Sequence, residues 1–436
     1  MLLMLFIFLV ILLLLCNIEC RRDYICPSFV FVGVFCFTVL WTLMRANAWQ
    51  FELQTNTFLV ILFGVLIFIL TCWFVKILKR GNNYLNRSKQ TLCYIQIARW
   101  KVCVLILFEV VTIFLTLYFI ITMYSSSWAL LGDAIWQYKY NYTSENGVFK
   151  SIPGYVAYMR TLTDAIGYYV EYVLINNWLV KKKLDKPVAI VLLLSIVSGI
   201  TTGSRGWAVN LVIGFVACMI ILMGKRDGRQ KELSGKLLIR IIVIMVAILF
   251  SYQSLGTLLG ADTSSMSFMD YISMYCGAGT VNLNYFLNNV NRPESTIFGA
   301  QTLIYIVKWI GPMFGIDTSY RLDMPFLRIN SHEMGNIYTT FYPFIYDCGY
   351  VGVVVFTAIM AFILQSVYEK VKRCGVGNRV AMPIVLYSYM FSTIVFSFFS
   401  NKFYETIFTP NFLIYLICWY LLDYFVAKIH MVRCSK

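Results

Sequence analysis

The sequence predicts an all-α polytopic integral membrane protein, and two observations carry that prediction. Apolar residues make up 60% of the 436-residue chain, and the mean hydropathy is +0.72. They fall in long runs, many near the roughly 20 residues that a helix needs to cross a bilayer core. The 36 Lys and Arg gather in short clusters between those runs. The main clusters are Arg21-Arg22 and the stretches 76–101, 181–183, 225–236 and 370–373. Every second connection is basic and the others are much less so, which is the positive-inside pattern. The formal net charge of +15 is then mostly the charge of one membrane face, and no nucleic-acid partner is needed to explain it.

The length rule gives roughly eleven spans. The first, 2–18, lacks a basic n-region and a small-residue cleavage site, so it reads as an uncleaved helix. Span 28–44 follows Arg21-Arg22, and spans 58–77 and 102–124 flank the basic stretch 76–101. Span 155–179 ends at the lysines 181–183. Spans 188–202 and 207–223 are joined by a short turn, and 237–252 follows the basic stretch 225–236. Span 344–367 ends at the cluster 370–373, and spans 381–399 and 411–425 precede a basic tail. Placing every cluster inside puts the N-terminus outside and the tail inside.

One connection is far longer than the rest. Residues 253–341 lie on the outer side within what reads as a single membrane domain. Structureless loops beyond about 15 residues are usually functional or disordered, and this one is too apolar and aromatic for disorder. Stretches 269–286 and 302–314 read as helices at the membrane interface, the second ended by Ile310-Gly311-Pro312. Together they predict a cap over the outer face.

Several function classes are excluded. There is no Walker A motif, no Rossmann glycine fingerprint and no HExxH zinc motif. The 13 Cys are scattered, with Cys276 facing outside and Cys348 near that boundary, so no disulfide framework is expected. No internal repeat is visible. The expected chemistry therefore needs no nucleotide, metal or other cofactor.

Charge on the outer side supplies the candidate site. Arg292 and Lys308 read as ordinary solvated charge. Arg321, Asp323, Arg328, His332 and Glu333 instead crowd one short run before the ninth span. Arg stays charged and grips phosphate through two parallel hydrogen bonds, so an anionic lipid headgroup suits this run. The turn Thr202-Gly203-Ser204-Arg205-Gly206 sits at the outer end of two apolar runs. Its Arg either snorkels to the interface or contacts an anion that the flanking glycines let approach the backbone. Within the fifth span Asp164 and Glu171 share a helix face. Arg160 stands one turn before Asp164, where an i,i+4 ion pair is the structural reading. With Glu109 in the fourth span and Asp347 before Gly349 and Gly352, these groups outline a polar chamber opening outward.

Two stretches resemble the O-antigen (oligosaccharide repeat-unit) polymerases of the Wzy type. One is the turn around Arg205. The other is Asn336-Ile337-Tyr338-Thr339-Thr340 followed by Asp347-Cys348-Gly349-Tyr350-Val351-Gly352. The layout of many spans, basic inner loops and one large outer loop is also similar. The resemblance implies a glycosyltransferase of the bacterial inner membrane, active on the periplasmic side in lipopolysaccharide biosynthesis. Such enzymes move a growing glycan from undecaprenyl pyrophosphate to a new lipid-linked repeat unit. The donor is already activated, and Arg at the outer interface would stabilise the departing anion.

On that reading Arg205 and Arg321 or Arg328 bind pyrophosphate. Asp347, Glu333 or His332 receives the proton of the acceptor hydroxyl. Arg160, Asp164 and Tyr338 line the cavity. Expected partners are the lipid-linked oligosaccharide, membrane lipids and a chain-length regulator. The related O-antigen ligases carry a His in the segment leading into a Gly-x-x-Gly pair. Counting back from Gly349, Tyr338 stands in that place and His332 lies six residues earlier. A lipid-linked oligosaccharide flippase or other transporter is the alternative from a different class, and an O-antigen ligase the alternative within this one.

Overall fold

The computed structural model describes residues 1–79, 90–125, 127–143, 150–227, 267–289 and 293–427. Among the described residues the regular structure is fourteen α-helices, three short 3-10 helices and one β-hairpin. The helices before the large connection are α1 (Leu2–Glu19), α2 (Pro27–Trp49), α3 (Thr55–Leu78), α4 (Arg99–Tyr124), α5 (Leu131–Thr143), α6 (Gly154–Lys181), α7 (Lys186–Ile200) and α8 (Gly206–Asp227). After it come α9 (Phe268–Asn288), α10 (Ile304–Ile310), strands β1 (Leu327–Ile329) and β2 (His332–Gly335), α11 (Phe341–Arg373), α12 (Met382–Val395), α13 (Lys402–Ile407) and α14 (Pro410–Ala427).

Six of these helices, α1 to α4, α8 and α11, are long and apolar enough to cross a membrane. The chain is a helical membrane protein with several candidate spans. Ten of the expected spans fall on helices, and 237–252 lies outside the described residues, as do 253–266 and Arg292. The six are fewer than the expected spans for physical reasons. Helices α7 and α12 are apolar but have only 15 and 14 residues. Helix α6 is long, but Arg160, Asp164 and Glu171 interrupt its apolar character.

The chain divides into two compact units. The first comprises Met1–Asn86, Ser267–Arg373 and Met390–Phe412. In it α3 and α11 pack closely because Gly64 lies under the Phe341 ring, where a Cβ would come within 2.5 Å of ring carbons. Phe31 stacks on Phe68 at 3.9 Å between centroids, and Phe35 on Phe341 at 5.1 Å. Helix α9 packs against α2. The Thr38 and Thr42 hydroxyls donate to the carbonyls of Cys276 and Gly277 at 2.7 and 2.9 Å. Small residues and such hydrogen bonds are what hold helices together where no water competes.

This corrects the interfacial reading of 269–286. Helix α9 is buried inside the unit, Cys276 included. The stretch 302–314 is shorter as an α-helix, ending at Ile310 and continuing as a 3-10 turn over Gly311–Phe314.

The crowded run before α11 folds into the β1–β2 hairpin. Its two-residue turn, Asn330-Ser331, has φ of 48° and 67°, the left-handed geometry that matches the twist of paired strands. Asn282 on α9 fixes the hairpin by donating to the carbonyls of Met334, Gly335 and Ile337. Met334 packs on Trp49, Ala278 and Val281.

Helix α11 is broken near its start. Cys348 and Gly349 leave helical geometry, with Gly349 at φ +58° and ψ −150°. That region is open essentially to glycine alone.

The second unit comprises Arg87–Met266, Cys374–Tyr389 and Leu413–Lys436. Helix α6 is its centre, buried along most of its length. Gly167 admits Ser195 of α7, and Gly214 of α8 admits Tyr168 and Glu171. Helix α5 seats Ala134, Ile135 and Tyr138 against Ile120, Ile121 and Val156.

Candidate functional site

In the second unit the turn between α7 and α8 brings three cations to one end of the bundle. Arg160, near the start of α6, donates to the Thr201 hydroxyl at 2.6 Å and to the Thr202 hydroxyl at 3.3 Å. Arg205 is 6% exposed and immediately precedes α8, its carbonyl accepting the Val209 N–H at 3.1 Å. Gly203, at φ +74°, lies so close to α5 that a Cβ would stand 3.2 Å from Lys139 side-chain carbons. Burial lowers the Lys139 ammonium below its ordinary value, and the Arg205 charge lowers it further.

This arrangement runs against ordinary electrostatics. A helix N-terminus carries partial positive charge and favours anions. Here it is given a buried Arg, with a second Arg and a Lys beside the same turn. The expected ion pair between Arg160 and Asp164 gives way to other bonds. Arg160 directs its donors to the turn, and Asp164 accepts from the Tyr415 hydroxyl at 3.4 Å.

Two further carboxyls are buried deeper in this unit. Glu109 accepts from the Ser195 hydroxyl at 2.7 Å. Glu171 is fully buried beside Gly214, and among the described residues neither of its oxygens has a hydrogen-bond partner.

The first unit holds the other predicted residues. On the hairpin Arg328 stands directly across from Glu333, both exposed, and His332 is half-buried opposite Ile329. Arg321 is exposed and lies near Lys308, whose ammonium is lowered by burial and then by the Arg321 charge. Asp347 is half-buried at the break in α11. Its carboxylate accepts the backbone N–H of Gln301 at 3.0 Å and of Thr302 at 2.6 Å. Asp323 accepts from the Tyr346 hydroxyl at 2.8 Å, and its own N–H donates to the Gln301 side chain at 2.9 Å.

Tyr338 lines a small pocket with Gln301, Leu322, Met324, Tyr342, Pro343, Ser400, Asn401 and Glu405. Its hydroxyl donates to the Pro325 carbonyl at 3.1 Å, and the Tyr342 hydroxyl donates to the Asp323 carbonyl at 2.6 Å. Tyr338 and Tyr342 are both almost fully buried and pack on each other at 4.2 Å between centroids, so the pocket has room for about one water and none for a sugar.

Comparison with family models, curated proteins and solved structures finds no match to this chain. Any functional reading therefore rests on the residues. Arg160, Asp164 and Arg205 belong to the second unit, whereas Arg321, Arg328, His332, Glu333, Tyr338 and Asp347 belong to the first.

Sequence reasoning missed Lys139, Thr201 and the pocket residues Gln301, Asn401 and Glu405. Lys139 had a readable signal. It lies in a polar, aromatic segment that the charge rule reads as outer, one of the few basic residues there. The pocket residues had none, because nothing local marks residues from two stretches a hundred residues apart as neighbours.

Proposed function

We propose that this protein is an O-antigen or polysaccharide polymerase, a glycosyltransferase of the bacterial inner membrane. It transfers a growing glycan from undecaprenyl pyrophosphate to a new lipid-linked repeat unit on the periplasmic side. The observation that carries the reading is the gathering of Arg160, Arg205 and Lys139 around the α7–α8 turn. The leaving group of the reaction is a pyrophosphate anion held at a membrane interface. Three cations and a helix N-terminus suit that charge.

The reaction breaks the bond from the anomeric carbon to the pyrophosphate oxygen and forms one to an acceptor hydroxyl. The carrier leaves with the negative charge, and the hydroxyl proton passes to a base. Among the three predicted bases, Asp347 already accepts two backbone N–H groups, which gives it a positioning role. Glu333, exposed on the hairpin, and half-buried His332 are the proposed proton acceptors. The eleven-span layout, with 253–341 outside, belongs to the same reading, and exposed Trp309, Met313 and Phe314 fit a segment dipping into the outer leaflet.

A flippase or other transporter is the second reading. Glu171, without a hydrogen-bond partner among the described residues, and the broken helix α11 favour it, since carriers place ionisable groups and discontinuous helices in the bilayer. A gel of lipopolysaccharide from cells lacking the gene separates the two. Loss of the long ladder with a core-plus-one-repeat band retained supports the polymerase. Loss of every O-antigen band supports the flippase, and an unchanged ladder rejects both.

A further inference from the structure

Where α1 passes into α2, the first unit gathers thiols around an ammonium group. Cys20 ends α1 and Cys26 precedes α2. Both sulfurs lie against one oxygen, the Ser28 hydroxyl, at 3.3 and 3.4 Å. The Cys20 thiol hydrogen-bonds the Cys26 sulfur. Lys76 of α3 brings its Nζ to 3.4 Å from the Cys20 sulfur and to 2.5 Å from the Glu19 carboxylate. Burial works against ionising either thiol; the Cys26 sulfur and burial hold the Cys20 thiol well above its ordinary value, whereas the Cys20 thiol and the Lys76 charge hold Cys26 below its own. Cys26 is 1% exposed, whereas Cys20, at 8%, sits at the rim beside exposed Glu19, Arg21 and Arg22.

A buried structural Cys is inert, and reactivity needs a thiolate in an electropositive, reachable place. This pair supplies an outer thiol near solvent, an inner thiolate behind it and a lysine beside both. We propose that Cys20 and Cys26 form a redox modification site that closes into an intramolecular disulfide by exchange with a low-molecular-weight disulfide such as oxidised glutathione.

The Cys20 thiol passes its proton to the Cys26 sulfur as it attacks the external disulfide, forming a mixed disulfide and releasing one small thiolate, which takes that proton from Cys26. The Cys26 thiolate then attacks the Cys20 sulfur and releases the second. The two protein thiols are oxidised by two electrons, the external disulfide is reduced to two thiols, and the two thiol protons leave with them. Arg21-Arg22 place this connection on the inner side by the charge rule, where thiols are kept reduced. The pair is therefore open at rest and closes when the small-thiol pool is oxidised. The inference stands apart from the polymerase reading.

The test uses the full chain in detergent, equilibrated with glutathione buffers of increasing oxidised fraction. Free thiols are then blocked and the protein is digested with trypsin. Cleavage at Arg21 and Arg22 puts Cys20 and Cys26 on different peptides, so the disulfide appears as a linked pair, 1–21 with 23–45. The pair is expected in wild type and in Cys16→Ala and Cys36→Ala, and is expected to vanish in Cys20→Ala and Cys26→Ala. Lys76→Met should slow its formation about tenfold by removing the charge that favours thiolate, with Lys76→Arg near wild type. No linked pair at any ratio, a pair that survives Cys20→Ala, or a stable glutathione adduct on Cys20 without closure would overturn the proposal.

Discussion

Gly352 lies against the backbone of Phe344, so that a Cβ on Gly352 would overlap the Phe344 carbonyl oxygen. The contact exists because α11 is kinked at Cys348 and Gly349. The two glycines have different duties: Gly349 supplies a backbone geometry, and Gly352 supplies room. Gly349→Ala should cost about 1–3 kcal/mol through strain alone. Gly352→Ala should cost at least as much, because backbone rather than a flexible side chain must move. Melting of the detergent-solubilised variants checks this, and unchanged transitions in both would mean that the helix runs straight.

Asp347 ties the start of α11 to the segment ahead of α10 through the N–H groups of Gln301 and Thr302. Removing the acceptor leaves those half-buried donors unmatched. Asp347→Ala should therefore lose about 1–3 kcal/mol of stability. Asp347→Asn keeps one acceptor oxygen and should lose less. A positioning role predicts that activity falls in step with stability across the two variants. Asp347→Asn with wild-type melting and no polymerisation would instead make this carboxylate the base.

Lys139 should show a cost that function tolerates. Burial and then Arg205 lower its folded value below that of the unfolded chain. For a base this means that the protonated form is disfavoured by folding. The penalty is full below the folded value and is relieved as pH rises through it toward the unfolded value. Stability should thus rise with pH over that alkaline window in wild type, and the Lys139 contribution should be missing in Lys139→Met. At neutral pH Lys139→Met should melt higher than wild type yet bind inorganic pyrophosphate more weakly. A variant that melts lower and binds equally would place Lys139 in packing rather than in an anion site.

What could be read in advance follows from the range of each signal. Spans are announced by long apolar runs, so α1 to α4 and α8 were legible to within a few residues. The break in α11 was half legible: Gly349 and Gly352 were visible, but only the packed Phe344 carbonyl explains their spacing. The hairpin was not legible, because Asn330-Ser331 carries no glycine and the strands have only 3 and 4 residues. Helix α9 reads as interfacial because its Tyr, Ile and Leu residues make an outer connection apolar and aromatic. Its burial depends on Thr38 and Thr42 of α2, more than 200 residues away. Arg205 was legible from its glycines, whereas Arg160 was read as half of an ion pair until Thr201 and Thr202 appeared beside it.

Those last contacts give the sharpest functional prediction. Arg160 divides two guanidinium nitrogens between the hydroxyls of Thr201 and Thr202, which holds the turn and aims the positive charge at its mouth. Lys cannot reproduce that fork. Arg160→Lys should therefore misplace the turn while conserving charge, and Arg205→Lys should keep the turn but lose planar recognition of the diphosphate. If both act on the departing pyrophosphate, each should lower turnover of a lipid-linked repeat on the order of 100-fold, with protein abundance and acceptor affinity little changed. The Thr201→Val variant separates the roles. It should weaken turnover less than Arg160→Lys, and addition of guanidinium ion should restore neither. An Arg205→Lys enzyme with full turnover would remove the turn from the chemistry and return Arg205 to a snorkelling residue at a helix end.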